Sequence, residues 1–108
     1  MQVLVDYQDR RIRLTDERLA HILKHPEMAS MEAELNRTLK SPEIVRLSKS
    51  DAEIALYYRF YTDTRVGDKW LCVVVKFLVE DAFILTAYFT DKPKQGGPFY
   101  ESASQDLV

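Results

Sequence analysis

Three β-prone runs in close succession set the strongest limit on how this chain folds. "EIALYYRFY" (Glu53 to Tyr61), "KWLCVVVKFLV" (Lys69 to Val79) and "AFILTAYFT" (Ala82 to Thr90) are rich in β-branched and aromatic residues. Only "TDTRVGD" and "ED" separate them. A parallel crossover needs a dozen or more residues, so these neighbours must run antiparallel. "EIVRLS", from Glu43, reads as a shorter strand ahead of them.

Upstream the periodicity changes. Val3 to Leu14 holds two short β-prone runs, "VLVDY" and "RIRL", which read as a hairpin or an irregular edge. Thr15 is a good N-cap, and Asp16 and Glu17 follow it where the helix dipole favours negative charge. That helix runs to about Lys24, because Pro26 pushes the residue before it out of helical geometry. A second helix is expected from about Ala29 to Leu39, with Met28, Met31, Leu35 and Leu39 on its apolar face, and Pro42 ends it. The expected fold class is α+β: two N-terminal helices packed on one face of a curved antiparallel sheet of about four strands. Residues 1–95 would form a single domain, and 96–108, beginning within the turn-rich "KPKQGGPFYE", a polar C-terminal tail.

Composition narrows the function classes. At 46% apolar residues the chain can bury a core, so disorder is not expected outside the ends. One cysteine, Cys72, excludes an internal disulfide and a Cys-rich zinc site and fits a reducing cytoplasm. "MQVLVDYQDR" lacks the form of a signal peptide, and "WLCVVV" is far shorter than the ~20 apolar residues of a membrane helix. Cytoplasmic localisation, with no membrane association, is therefore expected. The net charge of −2 lacks the basic excess of most nucleic-acid binders, so such a role would need a local patch.

One face of the expected sheet has nothing to cover it. In the first strong strand Ile54, Leu56, Tyr58 and Phe60 alternate with Ala55, Tyr57, Arg59 and Tyr61. The first set is the better core candidate. The second places an arginine between two tyrosines, which suits phosphate contact and base stacking as well as a plain solvated strand face. Grouping the polar-leaning sets gives an open surface of Tyr57, Arg59, Tyr61, Trp70, Lys76, Thr86, Tyr88 and Thr90. Register matters here. With a two-residue "ED" turn Thr86 falls opposite Val75 and Lys76 turns away, whereas a three-residue turn or a bulge puts both on one face.

His21 and His25 stand four residues apart, a spacing that can hold a metal. No third ligand stands out, so no metal and no cofactor are expected. Taken alone, His21 reads as a solvated residue on a polar helix face.

The ordered set "HILKHPEM", "ELNRTLKSPEIV", "YYR", "DKWLCVVVK" and "AFILTAYFTDK" resembles the Barnase–EndoU–colicin–RelE-like nucleases (the BECR fold), in particular their phage-associated branch, over about residues 12 to 95. The resemblance implies a metal-independent endoribonuclease of toxin or phage-effector type. In such enzymes the RNA 2′-hydroxyl attacks the adjacent phosphate, with a proton-transfer group and cationic donors supplied by the protein. His21 matches the family's helix histidine and would transfer the proton. Arg59 and Lys76 would hold the phosphate, Thr86 and Tyr88 would orient it, and Tyr57, Tyr61 and Trp70 would stack bases. His25 and Glu27 match the "HPE" signature. The implied partners are RNA (tRNA or mRNA) and an antitoxin or immunity protein.

The alternative is a non-catalytic interaction domain on the same fold, binding a protein partner through its aromatic sheet face. The two readings differ in one requirement. Catalysis needs His21 and Arg59 to converge on one cleft with Thr86, whereas binding needs only the aromatic face.

Overall fold

The chain opens with β1 (Gln2–Val5) and β2 (Arg11–Leu14), an antiparallel hairpin with Gln2 opposite Leu14 and Val5 opposite Arg11. The computed structural model describes residues 1–94 and the backbone of 98–101. α1 (Asp16–Leu23) starts where the Thr15 hydroxyl accepts the Arg18 N–H at 3.2 Å, with Asp16 and Glu17 in its first turn. Pro26 then begins a 3₁₀ turn, Pro26–Met28. α2 (Glu32–Lys40) carries Glu32 and Glu34 at its start and Arg37 and Lys40 at its end, matching the helix dipole at both termini.

The rest is strand. β3 (Ile44–Leu47), β4 (Ile54–Thr64), β5 (Gly67–Leu78) and β6 (Asp81–Thr90) form an antiparallel meander, as their short connectors require. β7 (Pro98–Glu101) pairs antiparallel with β3. The sheet therefore has seven strands in the order β1-β2-β6-β5-β4-β3-β7.

This corrects the expected architecture. The sheet is not a four-stranded antiparallel one: β2 joins β6 in parallel, through Arg13 opposite Phe83, so the sheet is mixed. Nor do the helices form an N-terminal pair, because the β1–β2 hairpin precedes them. α1 lies against β6, and α2 against β1, β4 and β5. Connector length could not reveal the parallel joint, since both helices and the meander intervene between its two strands. A bidentate clamp reinforces that joint. Arg13 Nε and Nη2 reach the two Asp81 carboxylate oxygens at 2.8 and 2.7 Å, which holds the Asp81 carboxyl below the usual carboxylate range. The expected C-terminal tail is corrected at 98–101, where Pro98 opens an edge strand, a position that tolerates its missing N–H. Residues 95–97 and 102–108 lie outside the described residues.

The main core lies between the helices and one sheet face. Ile22, Leu35 and Leu39 from the helices meet Leu71, Val73 and Ile84 from the strands. One end of this core is closed by the loop between β1 and β2. Asp6 in that loop is 1% exposed, and its carboxylate accepts four hydrogen bonds. The donors are the Gln8 and Arg10 backbone N–H groups and Arg10 Nε, each at 2.9 Å, and the Tyr57 hydroxyl at 2.6 Å. The Arg10 guanidinium also donates to the Tyr57 oxygen at 3.1 Å and lies 4.5 Å from the Phe77 ring centroid. Tyr7 N–H donates to Leu39 O at 3.0 Å, tying the same loop to the end of α2. No helix among the described residues is long and apolar enough to cross a membrane.

Two stability predictions follow from this geometry. Asp6→Ala removes the acceptor of four hydrogen bonds at a buried site and should cost about 3 kcal/mol in urea unfolding, whereas Tyr57→Phe leaves the Asp6–Arg10 pair intact and should cost only about 1 kcal/mol. Gly67 has φ +92° and open space around an added Cβ. Gly67→Ala should therefore cost about 1 kcal/mol through backbone strain alone.

Candidate functional site

The parity of β4 decides which residues can work together. Ala55 and Tyr57 point toward the helices and lie in the main core, with Tyr61 packed against it. Leu56, Tyr58, Cys72 and Val74 form a second buried cluster on the opposite, outer face, with Ile44, Ile54, Trp70, Leu85 and Tyr88 packed around it. Among the described residues no helical residue belongs to that cluster. The sequence assigned these two sets of β4 the other way round. Both are largely apolar because both sheet faces are packed, so alternation alone could not say which one the helices cover.

Tyr57 and Tyr61 are therefore not base-stacking groups on an open face. Tyr57 is fully buried and spends its hydroxyl on Asp6, and burial together with that hydrogen bond raises its pKa well above the tyrosine range. The Tyr61 hydroxyl lies 3.0 Å from Thr38 Oγ1, beside α2. Arg59, between them, donates through Nη1 to Ser41 O at 2.7 Å, at the C-terminal end of α2 where a cation opposes the helix dipole.

The other expected site residues stand on the outer face. β5 and β6 are joined by the two-residue turn Val79–Glu80, with Leu78 opposite Asp81. The register then shifts at β6: Ile84 faces Val75, Thr86 faces Val74, and Leu85 is the extra residue of a bulge. The bulge returns Thr86 and Tyr88 to the side that carries Lys76. Lys76 is committed, however, with its ammonium 2.7 Å from Asp51 and 3.1 Å from Glu53. Trp70 packs edge-on against Phe60, with ring centroids 5.4 Å apart.

His21 is exposed on α1, and its ring meets His25 edge-on at 6.0 Å. His25 Nδ1 lies 3.9 Å from Glu27. No hydrogen bond, ion pair or ring contact among the described residues joins His21 to Arg59. Neither lines any of the four surface hollows described for the molecule, and Arg59 is bonded at the α2 terminus while Thr86 and Tyr88 face the other way. Among the described residues no group of three or more His, Cys, Asp or Glu is placed to hold a metal.

The outer face does carry a hollow of about 400 Å³, within the range of ligand sites. Ile54, Leu56 and Val74 form its floor, Leu47 and Tyr88 its two ends, and Ser48, Lys49, Ser50 and Lys94 its rim. Two segments wall it. On one side is the β3–β4 turn, where Ser48 N–H donates to Ile54 O at 2.9 Å and Ile54 N–H to Asp51 O at 3.0 Å. On the other, the chain leaving β6 crosses the face, and Lys94 N–H donates to the Tyr58 hydroxyl at 3.0 Å. Sequence reasoning passed over Lys49 and Lys94 because one sits in a serine-rich turn and the other in the turn-rich stretch that leads into the expected tail.

Cys72 lies beneath this face, fully buried near Tyr58 and Tyr88. Burial pushes its thiol up to about 11, against weaker opposing hydrogen bonds from the two tyrosines, so it is no nucleophile at neutral pH. Burial also lifts Tyr58 and Tyr88 above the ordinary tyrosine range. No family model, curated protein or solved structure matches the chain.

These buried acids fix a pH dependence. The folded state keeps protons that the unfolded chain releases, so the thiol's stabilising contribution is complete below its unfolded value of 9.0 and is lost as the pH rises from there through about 11. The tyrosines' contribution begins to be lost only above their ordinary value of 10.0. Urea midpoints should fall from about pH 9 upward, and Cys72→Ala should delay the onset toward the ordinary tyrosine value of 10.0. A midpoint that stays flat to pH 11 would contradict the burial of the thiol.

Proposed function

We propose that this chain is a non-catalytic interaction domain that binds a protein partner on the outer face of its sheet. The observation that carries the reading is the walled groove on that face, an apolar floor over which no helix lies among the described residues. An exposed apolar concavity with a polar rim is what a partner's side chain can fill. The metal-independent endoribonuclease reading draws support from the sequence resemblance, but it needs an imidazole and a guanidinium on one phosphate. Here the corresponding groups serve an exposed helix face and a helix terminus.

Binders selected from a random peptide library displayed on phage supply the test, followed by fluorescence polarisation of the labelled peptides. The selected peptides should bind wild type and His21→Ala equally, and should bind Leu47→Ala/Ile54→Ala at least tenfold more weakly. Leu47 at one end of the groove and Ile54 in its floor are partly exposed and can be truncated without emptying the main core. In parallel, total tRNA and ribosome-bound mRNA should stay intact with micromolar protein in EDTA. Cleavage abolished by His21→Ala or Arg59→Ala would overturn the proposal, and so would peptides indifferent to the groove substitutions.

A further inference from the structure

We infer that the partner segment seated in this groove is acidic: a short extended stretch that lays an apolar side chain on the floor and sets carboxylates against Lys49 and Lys94. The inference rests on the interaction reading above and adds the chemistry of the partner. Leu47 on β3 and Tyr88 on β6 mark the two ends of the groove, with β4 and β5 between. It therefore spans four neighbouring strands, roughly 14 Å at the usual strand spacing, which four extended residues would cover.

The sign of the rim is unambiguous. Lys49 and Lys94 are its charged residues, and among the described residues no carboxylate lines the groove. The nearest acids in sequence turn elsewhere: Asp51 and Glu53 onto Lys76, a contact that holds Asp51 below the usual carboxylate range, and Asp91 onto Lys69. No ion pair to Lys49 or Lys94 occurs among the described residues. The chain as a whole carries −2, so this positive rim is local and does not belong to a generally basic surface. Its lysines also sit on held backbone. The Ser48 and Ser50 hydroxyls lie 3.1 Å apart and Ser50 N–H donates to Ser48 Oγ at 3.3 Å, bracketing Lys49, while the Tyr58 hydroxyl fixes the backbone at Lys94. Charges placed in advance on opposite walls favour an occupant of opposite sign through both encounter rate and register.

The same phage-displayed library tests this when it is selected separately on wild type and on Lys49→Glu/Lys94→Glu, both exposed positions. Wild type should enrich peptides that combine an apolar residue with flanking Asp or Glu. The best of these should bind the double variant at least tenfold more weakly, and should weaken on wild type as salt is raised. The variant should enrich basic peptides in their place. If wild type enriches neutral or basic peptides that still depend on Leu47 and Ile54, the acidic partner is wrong and the interaction reading stands. If wild type enriches nothing, both are overturned.

Discussion

A single buried carboxylate organises this molecule. Asp6 sits in a hairpin loop, yet its four hydrogen bonds gather the loop backbone, Arg10 and the Tyr57 hydroxyl on a central strand. A polar group so deeply buried is tolerable only when its hydrogen-bonding capacity is filled, and Asp6 meets that condition. With the Tyr7–Leu39 backbone bond, this knot closes one end of the main core and joins the hairpin, α2 and β4. Its consequence reaches beyond stability. The tyrosine and arginine chemistry on the helix side of the sheet is consumed internally, so it is not available to a ligand.

The outer face is different in kind. Its cluster is small, and among the described residues the chain crosses it over Tyr58 at Lys94. That crossing buries Tyr58 and Cys72 while leaving Ile54 and Leu47 beside it partly exposed, which is how a groove arises on a sheet that is otherwise packed. The bulge at Leu85 matters for the same reason. Without the extra residue, Tyr88 would point toward the helices and the groove would lose one end.

Much of the local structure was legible in the sequence. Thr15, Asp16, Glu17 and Pro26 set the limits of α1 closely, and Pro42 the end of α2. The start of α2 falls at Glu32 rather than Ala29, because a 3₁₀ turn takes up Pro26–Met28. The short connectors dictated the antiparallel meander. Long-range facts were not legible. The parallel β2–β6 joint depends on strands far apart in sequence, and β7 lies beyond a glycine-rich stretch that carries no strand pattern. The candidate site suffered most from face assignment. Tyr57, Arg59 and Tyr61 look polar beside Ile54 and Leu56, but their polar tips meet Asp6, Ser41 and Thr38, partners that strand periodicity cannot disclose. The pair Asp6 and Arg10, four residues apart in a loop, was the nearest available hint.

The central claim is that this protein works from the outer face of its sheet and not from the helix side. Backbone amide chemical shifts, followed by NMR as a selected binder is titrated in, test it most directly. The account predicts perturbations concentrated in the β3–β4 turn from Leu47 to Leu56, at Val74, and from Thr86 to Lys94, with α1 unmoved. Shifts centred on His21 and its neighbours in α1, with the groove silent, would contradict it.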